Sequence, residues 1–303
     1  TALLLGLVAL APAGARLIVA HAEHDLRTAA ADDREFVAAL AARLGLECTV
    51  TRLAVRRRDA AGGEGLEARA RRLRYRFLEE VSRDHAARHV LVAHTADDQA
   101  ETILHRILRG TGPAGLAGIS PARTLCEGVA LLRPLLAVPR DDVRAFLTAE
   151  AEAWREDESN ADVRHARNFL RHEILARCAA GPYPAVAAAL VRLGSQAGRL
   201  AAALRSAADH LLALHARRHA DGTIVLRTEG LVGLDPHLRA EVFAALWEQQ
   251  GWPRRDMTAG HYERLATMAV ASATSAAAAA DFPGGVRVVV ERAGAIVVVP
   301  PAQ

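Results

Sequence analysis

The sequence predicts an α/β protein: a doubly wound parallel sheet followed by a mainly helical C-terminal region. Three observations carry this. Short β-branched runs alternate with helical patterns in the order βαβαβ over the first hundred residues, which calls for parallel strands with helices on both faces. A polar cluster, HTADDQAET, begins where the strand-like run HVLVAH ends, and sheets of this kind bind ligands at the carboxyl ends of their strands. A Gly-Pro break at 181–184 precedes a long Ala/Leu helical pattern, so the chain is divided into residues 1–180 and 181–303.

Taken in order, TALLLGLVALAPAGA (1–15) has the apolar core of a signal peptide but no basic flank, and it is too short to span a bilayer. It reads as an amphipathic helix of a domain that starts upstream. RLIVAHA (16–22) and TVTRLAV (49–55) are strands around a helix at 33–44, whose Phe36, Val37, Leu40 and Leu44 share a face. A helix at 66–82 precedes the strand HVLVAH (89–94), and the next helix follows HTADDQ. LLRPLLAVPR (131–140) leads to a helix near 141–151, a polar loop EDESN (156–160) and the segment ADVRHARNFLRHEIL (161–175). Beyond the break come a helix over 185–219, a strand TIVLR (223–227), helices near 236–250 and 258–270, an Ala-rich linker at 271–280 and a hairpin-like ending.

Composition narrows the chemistry. The net charge of +3 and a pI of about 9.1 are compatible with a nucleic-acid partner. All 38 basic residues are arginines, which excludes a Schiff-base lysine or a Walker-type phosphate lysine within these 303 residues. Cys48, Cys126 and Cys178 are far apart, so neither a zinc knuckle nor a disulfide framework is suggested, and a reducing cytoplasm is the expected compartment. The histidines show no zinc-enzyme spacing.

Each polar constellation has two readings. Asp97, Asp98 and Glu101 either cap a helix start or form a metal, nucleotide or amine site. In GLEARARRLRYRF, Glu67, Arg71 and Arg74 share a helix face, as a solvated ion-pair stripe or as a grip on phosphate or carboxylate. Arg164, Asn168 and Arg171 form a polar stripe opposite Phe169, Leu170 and Ile174, and EDESN adds acidic groups ahead of it. RGTGPAGL, with Gly110, Gly112 and Gly115, is either a helix end and turn or a backbone approach to a ligand.

Taken jointly, GLEARARRLRY, AHTADDQAETILHRILRGTGPAGLAGI, LLRPLL and EDESNADVRHARNFLRHEIL resemble the N-terminal domain of the tRNA(Ile)-lysidine synthetase family, over about residues 1–180. The resemblance implies an adenine-nucleotide alpha-hydrolase-like (PP-loop ATPase) fold, with 181–303 as a helical linker and tRNA-binding region. It implies a two-step reaction: ATP adenylates the C2 oxygen of the first-anticodon-position cytidine of tRNA-Ile(CAU), and free L-lysine then displaces AMP. By family pattern, Asp98 and Glu101 hold the lysine amino group or Mg2+, and Arg71, Arg74 and Arg171 neutralise phosphate or carboxylate. Asn160 and Asn168 orient ligands, and His24 and Arg27, in AHAEHDLR, join the lysine and ATP site, although Asp25 replaces the family's glycine. A cytoplasmic homodimer without membrane contact is expected.

The family's S-G-G-x-D-S loop, which cradles pyrophosphate with backbone N–H groups, is not in this sequence. The expectation is therefore a chain cut just after that loop and unable by itself to adenylate tRNA. Two alternatives stay open: tRNA thiolation by a related pyrophosphatase, which the isolated cysteines do not favour, and a non-catalytic tRNA-binding remnant.

Overall fold

A computed structural model of the chain describes residues 1–24, 30–55, 65–156, 164–271, 278–291 and 294–301. They fall into two compact units, Thr1–Ser195 and Gln196–Gln303.

The first unit is built on parallel strand pairs. β1 (Ile18–His24) runs parallel to β2 (Glu47–Leu53), with Ile18 opposite Glu47 and His24 opposite Leu53. α2 (Ala30–Arg43) connects them, after α1 (Ala2–Leu10). α3 (Leu66–Asp84) lays Leu73, Phe77 and Val81, spaced four residues apart, onto Ile18, Ala20, Leu53 and Val55. β3 (His89–Leu91) runs parallel to β5 (Val129–Leu132), and β4 (Ala122–Cys126) closes an antiparallel hairpin with β5. That hairpin turns at Gly128, whose φ of +73° is open to glycine at little cost.

Between β3 and β4 lie α4 (Ala96–Leu108) and the short α5 (Pro113–Leu116). After β5 come α6 (Arg140–Ala149), α7 (Ala166–Phe169), a π-helical segment Leu170–Leu175 and α8 (Ala176–Ala180). A cavity of about 800 Å³ opens between α1, β1 and β3, lined by Leu4, Leu7, Ile18, Phe36, Leu78 and Val90 among others.

α9 (Val186–His215) contains the division between the units. In the second unit, β6 (Ala216–Arg218), β7 (Ile224–Arg227), β8 (Ala279–Phe282), β9 (Val286–Glu291) and β10 (Ala295–Val299) form an antiparallel sheet in the order β6-β7-β10-β9-β8. Alternate residues Val286, Val288 and Val290 point into the core, as period-two patterning requires. α10 (Pro236–Gln249) and α11 (Ala259–Ala271) contribute Val242, Phe243, Leu246, Trp247 and Leu265 to it. The start of α10 is fixed by Asp235, which accepts the His237 N–H at 2.8 Å, and by Pro236 in its first turn.

Three expectations about elements change. α1 is apolar on every side, buries no residue and leaves Leu10 84% exposed, so it is not amphipathic. The strand expected over 89–94 ends at Leu91; the Val92 N–H still reaches the Leu132 carbonyl at 3.0 Å, and the chain then leaves the sheet to enter α4. Ala279 and Ala280, expected in a linker, begin β8, where pairing with Val289 and Val288 overrides alanine's weak strand preference.

Candidate active site

The site grows from the step between β3 and α4. Asp98, in the first turn of α4, accepts the Thr95 backbone N–H at 2.7 Å and the Thr95 hydroxyl at 3.0 Å through one oxygen, Oδ2. It therefore satisfies a donor ahead of the helix as the acid of a capping box does. Asp97, which the sequence suggests as the cap of α4, instead accepts the backbone N–H of Arg140 at 2.7 Å. It thus serves the start of α6, tying two helices together.

The remaining carboxylate oxygens meet guanidiniums. Glu101, one turn after Asp98, is 1% exposed. Arg171 grips it with two bonds, Nε to Oε1 at 2.6 Å and Nη2 to Oε2 at 3.1 Å. Arg167 donates Nε to Glu101 Oε2 at 2.6 Å and Nη2 to Asp98 Oδ1 at 2.7 Å, bridging the two acids. Arg140 adds Nη2 to Asp98 Oδ1 at 3.4 Å and lies 3.9 Å from Glu101 Oε1. Burial works against the Arg171 charge, but the hydrogen bond to Glu101 and the charges of Glu101, Asp98 and Asp97 outweigh it, and its pKa is raised above the ordinary arginine value.

This lattice bears on the expected magnesium or amine site. All four oxygens of Asp98 and Glu101 are engaged, and two carboxylates face three guanidiniums, so a cation entering here meets a net positive environment. Among the described residues no group of three or more His, Cys, Asp or Glu is placed to hold a metal. As arranged, the donor set does not fit a magnesium ion.

Arg167 and Arg140 are the members of this lattice that sequence reading missed. The stripe Arg164, Asn168, Arg171 assumes a regular α-helix, whereas the helix widens into π geometry at Leu170. The phase of the faces drifts across that turn. Leu170 is buried but Phe169, expected on the apolar side, is exposed, while Asn168 is buried. The signal available was the i, i+4 repeat Arg167 and Arg171, which places two guanidiniums toward one partner.

The glycine stretch is explained by packing. Gly110 ends α4 with a φ of +70°. Arg106 Nη1 donates to the carbonyls of Gly115 and Gly118, both at 2.7 Å, and Gln99 bonds the backbone of Ala117 and Ile119. A Cβ at Gly118 would stand 2.5 Å from Gln99 Oε1, so that turn is locked against α4.

The other expected site residues are less central. Arg71 and Arg74 lie exposed on α3, and Arg71 stacks on Tyr75 with its Cζ 5.0 Å from the ring centroid. His24 ends β1, and its side chain, like Arg27 and Asn160, lies outside the described residues. His94, three residues beyond β3, has its pKa lowered: burial is the largest cause, Asp98 opposes it, and Arg133, Arg167 and Arg71 add to it. The three cysteines are free thiols. Among the described residues no helix is long and apolar enough to cross a membrane.

Comparison with known proteins points the same way as the motifs. Residues 1–178 match the ATP-binding PP-loop domain family. The chain is 49% identical over 159 residues to a tRNA(Ile)-lysidine synthase of Thermus thermophilus, covering 52% of this chain and 30% of that protein. It is 33% identical over 270 residues to the tRNA(Ile)-lysidine synthase of Rhodopirellula baltica, covering 83% and 68% of the two chains. With that of Methylobacterium nodulans the identity is 41% over 244 residues, covering 80% and 69%. The chain thus spans less than a third of the Thermus protein.

Proposed function

Because the chain belongs to the tRNA(Ile)-lysidine synthase family of PP-loop proteins, we propose that the complete gene product ligates lysine to cytidine in tRNA-Ile(CAU) at the expense of ATP. Residues 1–180 form the ATP pyrophosphatase part and 181–303 the helical linker and tRNA-facing part. In the first step the C2 oxygen of the first-anticodon-position cytidine attacks the α-phosphorus of ATP and pyrophosphate leaves. In the second the amine of free L-lysine, having lost its proton, attacks C2 and AMP leaves.

The observation that carries the residue roles is the lattice of Arg140, Arg167 and Arg171 around Asp98 and Glu101. Negative charge builds on the phosphoryl oxygens as pyrophosphate departs, and fixed guanidiniums stabilise it without having to reorganise. Asp98 and Glu101 are positioning residues here: they hold the guanidiniums in place. This replaces a direct grip on a metal or an amine, and magnesium arrives as part of the MgATP substrate. Arg71, Arg74, Asn168, Asn160, His24 and Arg27 belong to the lysine and ATP contacts in this reading.

The test is an assay of the complete gene product with MgATP, L-lysine and tRNA-Ile(CAU), followed by nucleoside mass spectrometry. Lysidine at the first anticodon position is the expected product. A thiolated cytidine, or unmodified cytidine under conditions where a Thermus thermophilus lysidine synthase control is active, overturns the reading.

A further inference from the structure

Beside the Asp98–Glu101 lattice, the first unit gathers a second set of cations. Arg71 and Arg123 flank the ring of Tyr75, with their Cζ atoms 5.0 and 4.6 Å from its centroid. The side chains of Arg123 and Arg133 donate to backbone carbonyls beside it, Arg123 Nη1 to Thr124 at 3.0 Å and Arg133 Nη1 to Ser120 at 2.6 Å. Burial alone would raise the Tyr75 phenol's pKa, but the surrounding cations, Arg71, Arg123 and Arg133, reverse the effect and lower it.

Arg133 is the unusual member. It follows β5 and is 5% exposed; its Nη1 donates to the Ser120 carbonyl at 2.6 Å, while its buried Nε has no hydrogen-bond partner. No carboxylate among the described residues lies within ion-pair distance of Arg71, Arg123 or Arg133. His94 feels the charges of Asp98 on one hand and of Arg133, Arg167 and Arg71 on the other, and buries an Nδ1 that also has no hydrogen-bond partner. A buried guanidinium without a carboxylate is costly unless an anion completes it. Planar, multi-donor guanidiniums suit phosphate oxygens above other anions.

We propose that Arg133, Arg123, Arg71 and Tyr75, with His94 at the edge toward Asp98, form a phosphate-binding subsite. It is separate from the pairs that hold Asp98 and Glu101. Arg133 supplies the buried floor, Arg123 and Arg71 close over the anion from β4 and α3, and the Tyr75 ring holds those two guanidiniums by stacking. The subsite deepens the reading above, in which ATP and tRNA are the phosphate sources, but its test does not require lysidine to form.

The experiment is calorimetric titration of this chain with inorganic pyrophosphate. Saturable binding is expected, and Arg123→Gln and Arg133→Met should each weaken it roughly tenfold, with Tyr75→Leu, which removes the ring, weakening it about threefold. Arg123 is exposed on β4, so its variant keeps the test decisive should Arg133→Met fail to fold. Competition then identifies the source: displacement by ATP assigns the subsite to the triphosphate, and displacement by an anticodon stem-loop RNA assigns it to a phosphodiester.

Wild-type affinity in folded Arg123→Gln overturns the proposal, as does the absence of pyrophosphate binding. Bound pyrophosphate that neither ATP nor RNA displaces overturns it as a substrate subsite. Loss of lysidine formation with intact pyrophosphate binding would instead sink the functional reading and leave the subsite standing.

Discussion

The two units are stabilised by different chemistry. In Gln196–Gln303 the buried side chains are almost all apolar: Trp247 packs edge-on against Trp252 and Phe282 at 5.1 and 6.1 Å, and Thr228 is the single buried polar residue among those described. In Thr1–Ser195 the buried set includes Glu23, Ser82, Thr95, Gln99, Glu101, Arg133 and Asn168, and four of these lie on or beside α4. Buried ion pairs add little stability relative to apolar packing of the same volume, because desolvation offsets their attraction. A unit that keeps them therefore keeps them for what they hold in place, whereas the second unit's core needs only to be dry and close-packed.

Single changes at the centres of the two units should both be severe, for opposite reasons. Glu101→Ala leaves Arg167 and Arg171 without their buried partner and is expected to lower unfolding free energy by about 3–5 kcal/mol, read by urea denaturation of the first unit's transition. Trp247→Ala opens a cavity in the second core and should cost about 3–5 kcal/mol by the same measurement. The contrast lies in rescue: apolar residues replacing the whole Glu101 cluster should recover the loss, while no polar set should restore Trp247→Ala.

A smaller effect is expected where a carboxylate serves the backbone. Thr95→Ala removes the hydroxyl that donates to Asp98 and weakens the start of α4, an expected loss of about 1 kcal/mol in thermal unfolding. Asp98→Asn should lose more than Thr95→Ala, since it also releases Arg167. An equal loss would show that the Asp98–Arg167 bond contributes nothing to the fold.

The smallest effect is on pH dependence. His21 and His94 both have folded-state pKa values lowered from 6.5, burial being the first cause in each. The unfolded chain therefore takes up protons that the fold resists. Their contribution is complete above pH 6.5 and is lost as pH falls through the lowered folded values. A thermal-melt series from about pH 8 to about pH 5 should show this decline, and His94→Gln should flatten it; a slope unchanged by His94→Gln would place the sensitivity elsewhere.

What the sequence makes legible is local. The capping spacing of Thr95 and Asp98, the apolar face of α3 and the arginine repeat ending at Arg171 are all written within a few residues. What it hides depends on distance along the chain. Asp97 and Asp98 look interchangeable until Arg140, 43 residues later, claims the first through its backbone. Glu101 meets Arg167 and Arg171 across 66 and 70 residues, and the widened turn at Leu170 changes which face they present. Arg133 reads as part of an apolar LLRPLL run; only the pairing of β5 with β3 and β4 buries it beside Tyr75.

The most direct test of the contrast between the units replaces Glu101, Arg167 and Arg171 together by Leu, Met and Met in the complete gene product. Unfolding stability and lysidine formation are then measured on the same preparation. The lattice, if it exists to position charge for the reaction, predicts a protein at least as stable as the parent that forms no lysidine. A variant that still makes lysidine at the parent's rate would contradict it.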